Sequence, residues 1–161
     1  MCTAFYACYK LRHIDLTGVN TSKVSDMSAM FLGCSSLAEL DVSCIDTSSA
    51  TTLDGMFRRC LSLKTLDISN FDVSNVTTVN DLFSLCLRLE SLNLSGLHFE
   101  SCTKANRMFM FCKKLTEINM AGVSFPKLVP TNVDFFTGCD SISSEVALSV
   151  LDSMNGGKND G

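Results

Sequence analysis

The sequence has no tryptophan, only two histidines and two tyrosines, and no long run of apolar residues. No stretch approaches the roughly 18 consecutive apolar residues that a membrane-spanning helix needs. The 13 lysines and arginines are scattered along a chain of net charge −4, so the basic patch that nucleic-acid binding requires is missing. We therefore expect no nucleic-acid partner and no membrane insertion in this segment.

Motifs of catalysis and cofactor binding are absent as well. The sequence has no P-loop, no dinucleotide-binding fingerprint and no metalloprotease motif. His13 and His98 fall at different phases of the repeat that organises the chain. His98 and Cys102 have a spacing that could form a metal pair or a nucleophile with its base, but no second pair completes four ligands. We predict that the protein is not an enzyme and uses no cofactor and no metal.

What the sequence does contain is one signature, Phe-x-x-Cys, repeated every 26 residues with a slip of one residue before the last copy. A fixed period of this length is typical of proteins in which each unit buries its apolar face against its neighbours. Because 46% of the residues are hydrophobic, the chain has enough apolar material for one elongated core. The six copies join Phe5 to Cys8, Phe31 to Cys34, Phe57 to Cys60, Phe83 to Cys86, Phe109 to Cys112 and Phe136 to Cys139.

A second pattern, Leu-x-x-Leu-x-Leu, follows each of the first five copies. Its apolar positions alternate with polar residues as a strand requires. The pattern therefore predicts five short parallel strands that lie side by side. Its apolar positions are Leu11, Ile14 and Leu16; Leu37, Leu40 and Val42; Leu63, Leu66 and Ile68; Leu89, Leu92 and Leu94; and Leu115, Ile118 and Met120.

The return segment of each repeat begins with a serine or threonine and continues with apolar residues at helical spacing. In one copy Thr51 is placed to cap a helix, and Leu53, Met56 and Phe57 would face the core. We predict a short helix of about two turns per repeat, on the face opposite the strands. Parallel connections of this kind are right-handed in nearly all cases. The equivalent first residues are Ser25, Thr77 and Thr103.

The nine cysteines would normally suggest disulfides. Six of them share one phase of the repeat, however, and equivalent side chains in a stack lie about 4.8 Å apart and point the same way. Because parallel side chains make poor disulfide geometry, we interpret these six as reduced, buried thiols that pack as small apolar groups. Cys2, Cys44 and Cys102 lie off this ladder, and the sequence is compatible with free or paired thiols there.

These patterns together resemble a known family. The strand pattern, residues 71–76 (Phe-Asp-Val-Ser-Asn-Val) and the Met-Phe-x-x-Cys-x-Ser-Leu corner at residues 56–63 are similar to the BspA-like leucine-rich repeats of microbial surface proteins, in a 26-residue variety. The resemblance covers residues 1–142. It implies a right-handed leucine-rich-repeat solenoid at the cell surface or outside the cell, and a role in attachment to host molecules, host cells or other microbes.

The pattern ends after Cys139. Glu145 lies where a sixth strand would need an apolar residue, and the following residues have helical spacing up to Asn155. We predict a solenoid of about five and a half repeats over residues 1–142, a capping helix over 143–155 that covers the last rung, and a disordered tail over 156–161. Because Met1 falls inside a repeat, we also expect a longer parent array, with end-to-end packing or neighbouring domains.

Polar side chains that alternate with the core positions form a candidate binding face. Its central row contains Asp15, Asp41 and Asp67, whose carboxylates would lie about 5 Å apart and repel by about 1 kcal/mol per pair even in water. One interpretation is a contact row for a cation or for a basic or hydroxyl-rich ligand. The other is a solvated row relieved by neighbouring hydroxyls. The face comprises His13, Asp15, Thr17, Glu39, Asp41, Ser43, Thr65, Asp67, Ser69, Ser91, Asn93, Glu117 and Asn119.

Two functional hypotheses follow. The first is a recognition or adhesion module of a microbial surface protein, which binds a protein or glycan partner across the strand face or along a second polar row at Asn20, Asp46 and Asp72. Short side chains in that second row also fix turns by accepting backbone hydrogen bonds. The second hypothesis is a structural or spacer array of a phage virion, a tail or another larger assembly.

Overall fold

The structure is a computed structural model, and it describes residues 3–128 and 134–154. It contains three strands, β1 (Thr65–Asp67), β2 (Ser91–Asn93) and β3 (Glu117–Asn119), and one helix, α1 (Ser144–Met154). The strands are parallel and lie in the order β1-β2-β3. Leu66 pairs with Leu92, and Leu92 pairs with Ile118. The 26-residue sequence period is therefore the register of the sheet, and the predicted α/β repeat with a parallel sheet is confirmed at that level.

The core consists of ladders in which equivalent side chains of successive repeats stack on one another. The rings from Phe5 to Phe109, and then Phe136, lie nearly parallel, with neighbouring centroids 5.4 to 5.8 Å apart and interplanar angles of 3° to 8°. Stacked rings at this distance add to the gain from burying them. Leu63, Leu89 and Leu115 form a second fully buried ladder beside the sheet. We count each repeat from its return segment, which contains the phenylalanine, through the strand pattern that follows. The repeats are numbered 1 to 5 by Phe5, Phe31, Phe57, Phe83 and Phe109.

The return segments are not helices, so that prediction is wrong. They are chains of turns in which alternate backbone N–H groups donate to the next repeat, as Ala29 does to the Asp54 carbonyl and Phe31 to the Met56 carbonyl, both at 2.9 Å. An α-helix with its side chains is about 10 Å wide. The stacked rings hold successive repeats only 5.8 Å apart, so a helix in every repeat does not fit.

Positive φ angles make this turn conformation possible. One position of the return segment has φ between 55° and 60° in four successive repeats, whichever residue occupies it. The left-handed conformation turns the chain, so that successive backbone N–H groups donate alternately to carbonyls of their own repeat and to carbonyls of the next repeat. The four residues are Ala29, Gly55, Asp81 and Arg107.

The hydroxyl groups that we expected to cap helices bridge the repeats instead. Thr51 Oγ1 donates to the carbonyl of Ser25 at 3.0 Å, and Thr77 Oγ1 donates to the carbonyl of Thr51 at 3.0 Å. These contacts give the threonines a role, but a different one from that predicted.

Only three of the five predicted strands are formed. No backbone hydrogen bond joins residues 39–43 to residues 65–69, and residues 14–16 form no strand either. The strands pair where Asp67 faces Asn93, and pairing stops where Asp67 would face Asp41. Like charges directly opposite one another disfavour strand pairing, and we attribute the end of the sheet at β1 to this pair.

The helix α1 lies within the predicted range of 143–155. Ser143 Oγ accepts the N–H of Val146 at 3.2 Å, which caps the first turn. Val150 and Met154 are buried, and α1 packs against β3. In the described part of the chain no helix is long and apolar enough to cross a membrane. The predicted tail, residue 155 of the predicted helix, and Cys2 lie outside the described residues.

Candidate functional site

The sheet places the predicted binding-face residues of repeats 3 to 5 side by side. Thr65, Ser91 and Glu117 are register partners, and so are Asp67, Asn93 and Asn119. Side chains alternate across a strand, so both rows point away from the buried side chains between them. Of the thirteen predicted residues, Ser69, Ser91 and Asn93 are partly buried and the other ten are exposed.

A depression of about 610 Å³ opens on this face where the sheet ends, between repeats 2 and 3. We call it the acidic depression, because it is lined by the carboxylates of Glu39, Asp41 and Asp67 and by no lysine or arginine. Leu40, Val42 and Leu66 contribute to its lining. Its remaining lining residues are Ser43, Thr65, Ser69 and Asn70, so that six of the thirteen predicted residues meet here.

The other predicted residues lie outside the acidic depression. Ser91, Asn93, Glu117 and Asn119 line a smaller depression of about 300 Å³ over the paired strands, together with β1. His13, Asp15 and Thr17 line neither depression. The structure therefore divides the predicted face into a central acidic part, an amide-rich part and a separate first repeat.

Hydrogen bonds favour the ionised form of the carboxylates of the central row. Asp41 Oδ1 accepts the N–H of Ser43 at 2.8 Å, and Asp67 Oδ1 accepts the N–H and the hydroxyl of Ser69 at 2.9 and 2.6 Å. Hydrogen bonds from the side chain and then the backbone of these serines lower the pKa of both carboxyl groups. The residues of this row thus build the turn after each strand and remain negatively charged.

The second polar row fixes turns, as one interpretation predicted. Asp46 Oδ1 accepts the N–H and the hydroxyl of Ser48 at 2.9 and 2.6 Å, and Asp72 Oδ1 accepts the same groups of Ser74 at 3.0 and 2.6 Å. The N–H of Asp46 donates to the buried Thr21 Oγ1 at 2.9 Å. The central row forms the same kind of turn, but Asp46 and Asp72 do not line the acidic depression, so this row is the weaker candidate for ligand binding.

The cysteine ladder is a structural feature. Of the six ladder cysteines, Cys34, Cys60, Cys86 and Cys112 are buried as predicted, whereas Cys8 and Cys139 at the ends of the ladder are only partly buried, so the prediction of six buried thiols is wrong there. The eight cysteines in the described residues are free. Cys60 Sγ donates to the carbonyl of Phe31 at 3.3 Å, and Cys86 Sγ donates to that of Phe57 at 3.1 Å. Burial raises the pKa of Cys60 to about 12, which keeps it a poor nucleophile. The same contact recurs at Cys34, Cys112 and Cys139.

His98 and Cys102, the one catalytic or metal pair that the sequence offered, have different hydrogen-bond partners in the structure. His98 Nδ1 lies 3.1 Å from Ser124 Oγ, whereas the thiol of the buried Cys102 donates to the carbonyl of Lys104 at 3.4 Å. Cys44, the other off-ladder cysteine that is described, is exposed. Over residues 3–128 and 134–154 no group of three or more His, Cys, Asp or Glu side chains is placed to hold a metal ion.

One polar groove was not predicted, because its residues belong to segments that we expected to be helical. It has a volume of about 350 Å³ and lies on the return segments. Polar residues recur there at the repeat spacing, and this recurrence is the sequence signal from which the groove could have been predicted. We call it the arginine groove; its lining residues are Leu32, Asp54, Gly55, Arg58, Asn80, Asp81, Asn106 and Arg107.

Comparison with known proteins identifies a family but no individual relative. Neither the curated proteins nor the solved structures contain a significant match to the chain. A family model matches residues 1–121, which is about three quarters of the chain. Its description is "Mycoplasma protein of unknown function, DUF285", and the family is related to the BspA-like repeat proteins. The chain therefore belongs to the DUF285 family.

Proposed function

We propose that the protein is a non-enzymatic recognition module, a right-handed leucine-rich-repeat solenoid that binds a protein or glycan partner outside the cell or at its surface. The acidic depression is the observation that carries this proposal. It joins three carboxylates, two hydroxyl side chains of repeat 3 and an apolar floor in one open concavity. Binding sites commonly combine an apolar lining with a few polar groups that fix orientation.

The charge of the acidic depression indicates the chemistry of its partner. Glu39, Asp41 and Asp67 line it without a lysine or arginine, and hydrogen bonds from serine lower the pKa of both aspartates. A partner that presents ammonium, guanidinium or several hydroxyl groups complements these carboxylates. Because each repeat offers only short side chains, we expect the affinity of one copy to be low and multivalent display to increase it.

An array experiment tests this proposal. The protein is displayed on multivalent particles and applied to matrix proteins and glycans, in the wild-type form and as the D41A/D67A variant. We expect binding to at least one basic or hydroxyl-rich partner, and loss of that binding in D41A/D67A. The D46A/D72A variant is the matched control, since it removes two carboxylates from the turn row and leaves the acidic depression intact.

Two results would contradict the proposal. Binding that persists in D41A/D67A but is lost in D46A/D72A would move the site to the turn row. No binding to any arrayed partner would favour the alternative function, a structural or spacer array, for which the regular stacking of the repeats is sufficient.

A further inference from the structure

The arginine groove lies on the return segments of the repeats and shares no lining residue with the acidic depression. Four charged side chains line it. Arg107 Nε and Nη2 donate to Asp81 Oδ1 and Oδ2 at 3.1 and 2.7 Å. This bidentate pair joins repeats 4 and 5, and Asp54 and Arg58 are the two charges in the groove that have no ionic partner among the described residues.

The Nε of the Arg58 side chain is buried and has no hydrogen-bond partner in the described part of the chain. A guanidinium group is always protonated and carries five N–H donors in a planar fork. A buried donor without an acceptor destabilises the site that holds it. A carboxylate that meets the other guanidinium nitrogens in the groove would form charge-assisted hydrogen bonds with them.

The opposite side of the groove offers hydrogen-bond acceptors. Asp54 Oδ1 accepts the Thr78 hydroxyl at 2.8 Å and the Asn80 N–H at 2.6 Å, whereas Oδ2 has only a long contact of 3.5 Å with Asn80 Nδ2. The side-chain amide of Asn106, which also lines the groove, has no partner among the described residues. Asp54 Oδ2 and this amide suit a ligand that carries hydroxyl groups.

We propose that the arginine groove binds an acidic sugar residue of a glycan, with the sugar carboxylate on Arg58 and its hydroxyl groups on Asp54 Oδ2 and the Asn106 amide. A singly charged, hydroxyl-bearing unit matches both sides of the groove. Asp54 would repel a phosphate dianion more strongly than a single carboxylate, and an acidic side chain by itself carries no hydroxyl donor for Asp54 Oδ2. The volume of about 350 Å³ is at the small end of ligand sites.

Gly55 is the position for a variant that blocks the groove. Its φ of 60° lies in the left-handed region, where a side chain adds strain, but the equivalent Ala29 and Asp81 adopt 55° within the same fold. A Cβ atom at Gly55 would approach nothing closer than 3.7 Å, and its nearest neighbours are side-chain atoms of Arg58 and Leu32. The Gly55→Asp change introduces a carboxylate beside Arg58, where it competes with the ligand.

The test uses calorimetric titration of the 161-residue chain with tetrasaccharides of hyaluronan and of alginate, both of which contain uronic acids. We expect at least one of them to bind and uncharged chitotetraose not to bind. Arg58→Gln and Gly55→Asp should each weaken binding by at least about tenfold, as the loss of a charge-assisted contact predicts. The D41A/D67A variant should bind like the wild type, and thermal melting checks that each variant is folded.

The following results would overturn the inference. If neither uronate tetrasaccharide binds, or if chitotetraose binds equally well, the groove does not recognise an acidic sugar. If folded R58Q and G55D bind like the wild type, or if only D41A/D67A loses binding, the ligand lies elsewhere. An acidic peptide that binds through Arg58 more tightly than either tetrasaccharide would replace the sugar as the ligand class.

Discussion

Asn93 Nδ2 donates a hydrogen bond to Asp67 Oδ2 at 2.9 Å, across the position where β1 and β2 pair. One repeat before Asp67 the equivalent residue is Asp41, whose carboxylate cannot donate a hydrogen bond to the carboxylate of Asp67. The pairing of strands stops at that position. We infer that the change from carboxylate to amide along this row determines where the sheet ends and where the acidic depression opens.

The first prediction is that Asp41→Asn extends the sheet by one strand. The new amide can donate to Asp67 as Asn93 does, and one like-charge contact is removed. We expect a higher melting temperature and additional strand signal by circular dichroism. Asp46→Asn is the control, because it removes one charge from a turn whose equivalent residue is already Asn20; an equal rise in that variant would show that only net charge matters.

The second prediction concerns the core. Leu66 lies in β1 with 4% of its surface exposed, so Leu66→Ala should lower the free energy of unfolding by about 2–5 kcal/mol. Lys64→Ala, at the exposed residue just before β1, should change it by less than about 0.5 kcal/mol. Denaturant titrations of both variants measure these values, and equal effects would show that Leu66 is not a core residue.

The third prediction concerns the thiols. Cys44 is exposed, whereas Cys34, Cys60, Cys86 and Cys112 are buried and donate to phenylalanine carbonyls. A thiol reagent followed by residue-level mass spectrometry should modify Cys44 at once and the four buried thiols only on unfolding. Disulfides among these four, or their rapid modification in the native protein, would contradict the interpretation that they are reduced, buried thiols.

The fourth prediction concerns pH. The Ser69 side chain is the main cause that lowers the pKa of Asp67 below its ordinary value of 3.8, ahead of the Ser69 N–H and Asn93. A carboxyl group whose pKa is lower in the folded state stabilises the fold above its unfolded pKa, and this stabilisation is lost as the pH falls through the folded pKa. In Ser69→Ala the pKa of Asp67 should rise, as measured by carbon NMR of its carboxyl group; an unchanged pKa would exclude this cause.

The sequence predicted the parts of the fold that depend on one repeated position. The spacing of Phe31, Phe57 and Phe83 predicted a stack, and the structure confirms it with parallel rings. The alternation around Leu66 and Leu92 predicted strands that the structure also contains. These features were accessible because a core position has the same environment in each repeat, so its apolar residue recurs.

Helices were wrongly predicted for the return segments because the spacing of apolar residues gives no information about the distance between repeats. Met56 and Phe57 have helical spacing, but the distance of 5.8 Å between successive rings leaves no room for a helix. The arginine groove was missed for the same reason, since Asp54 and Arg58 lie in a segment that we expected to be helical. The end of the sheet depends on the pair of Asp41 and Asp67, and only the structure shows that such a pair lacks backbone hydrogen bonds.

Hydrogen exchange of the backbone amides of residues 40–42 tests the acidic depression most directly. In the wild-type protein these amides have no partner strand, so they should exchange far faster than the amides of β2, and in Asp41→Asn they should become protected. If the amides of residues 40–42 are already as well protected as those of β2 in the wild type, the sheet continues past β1, and the acidic depression does not exist in solution.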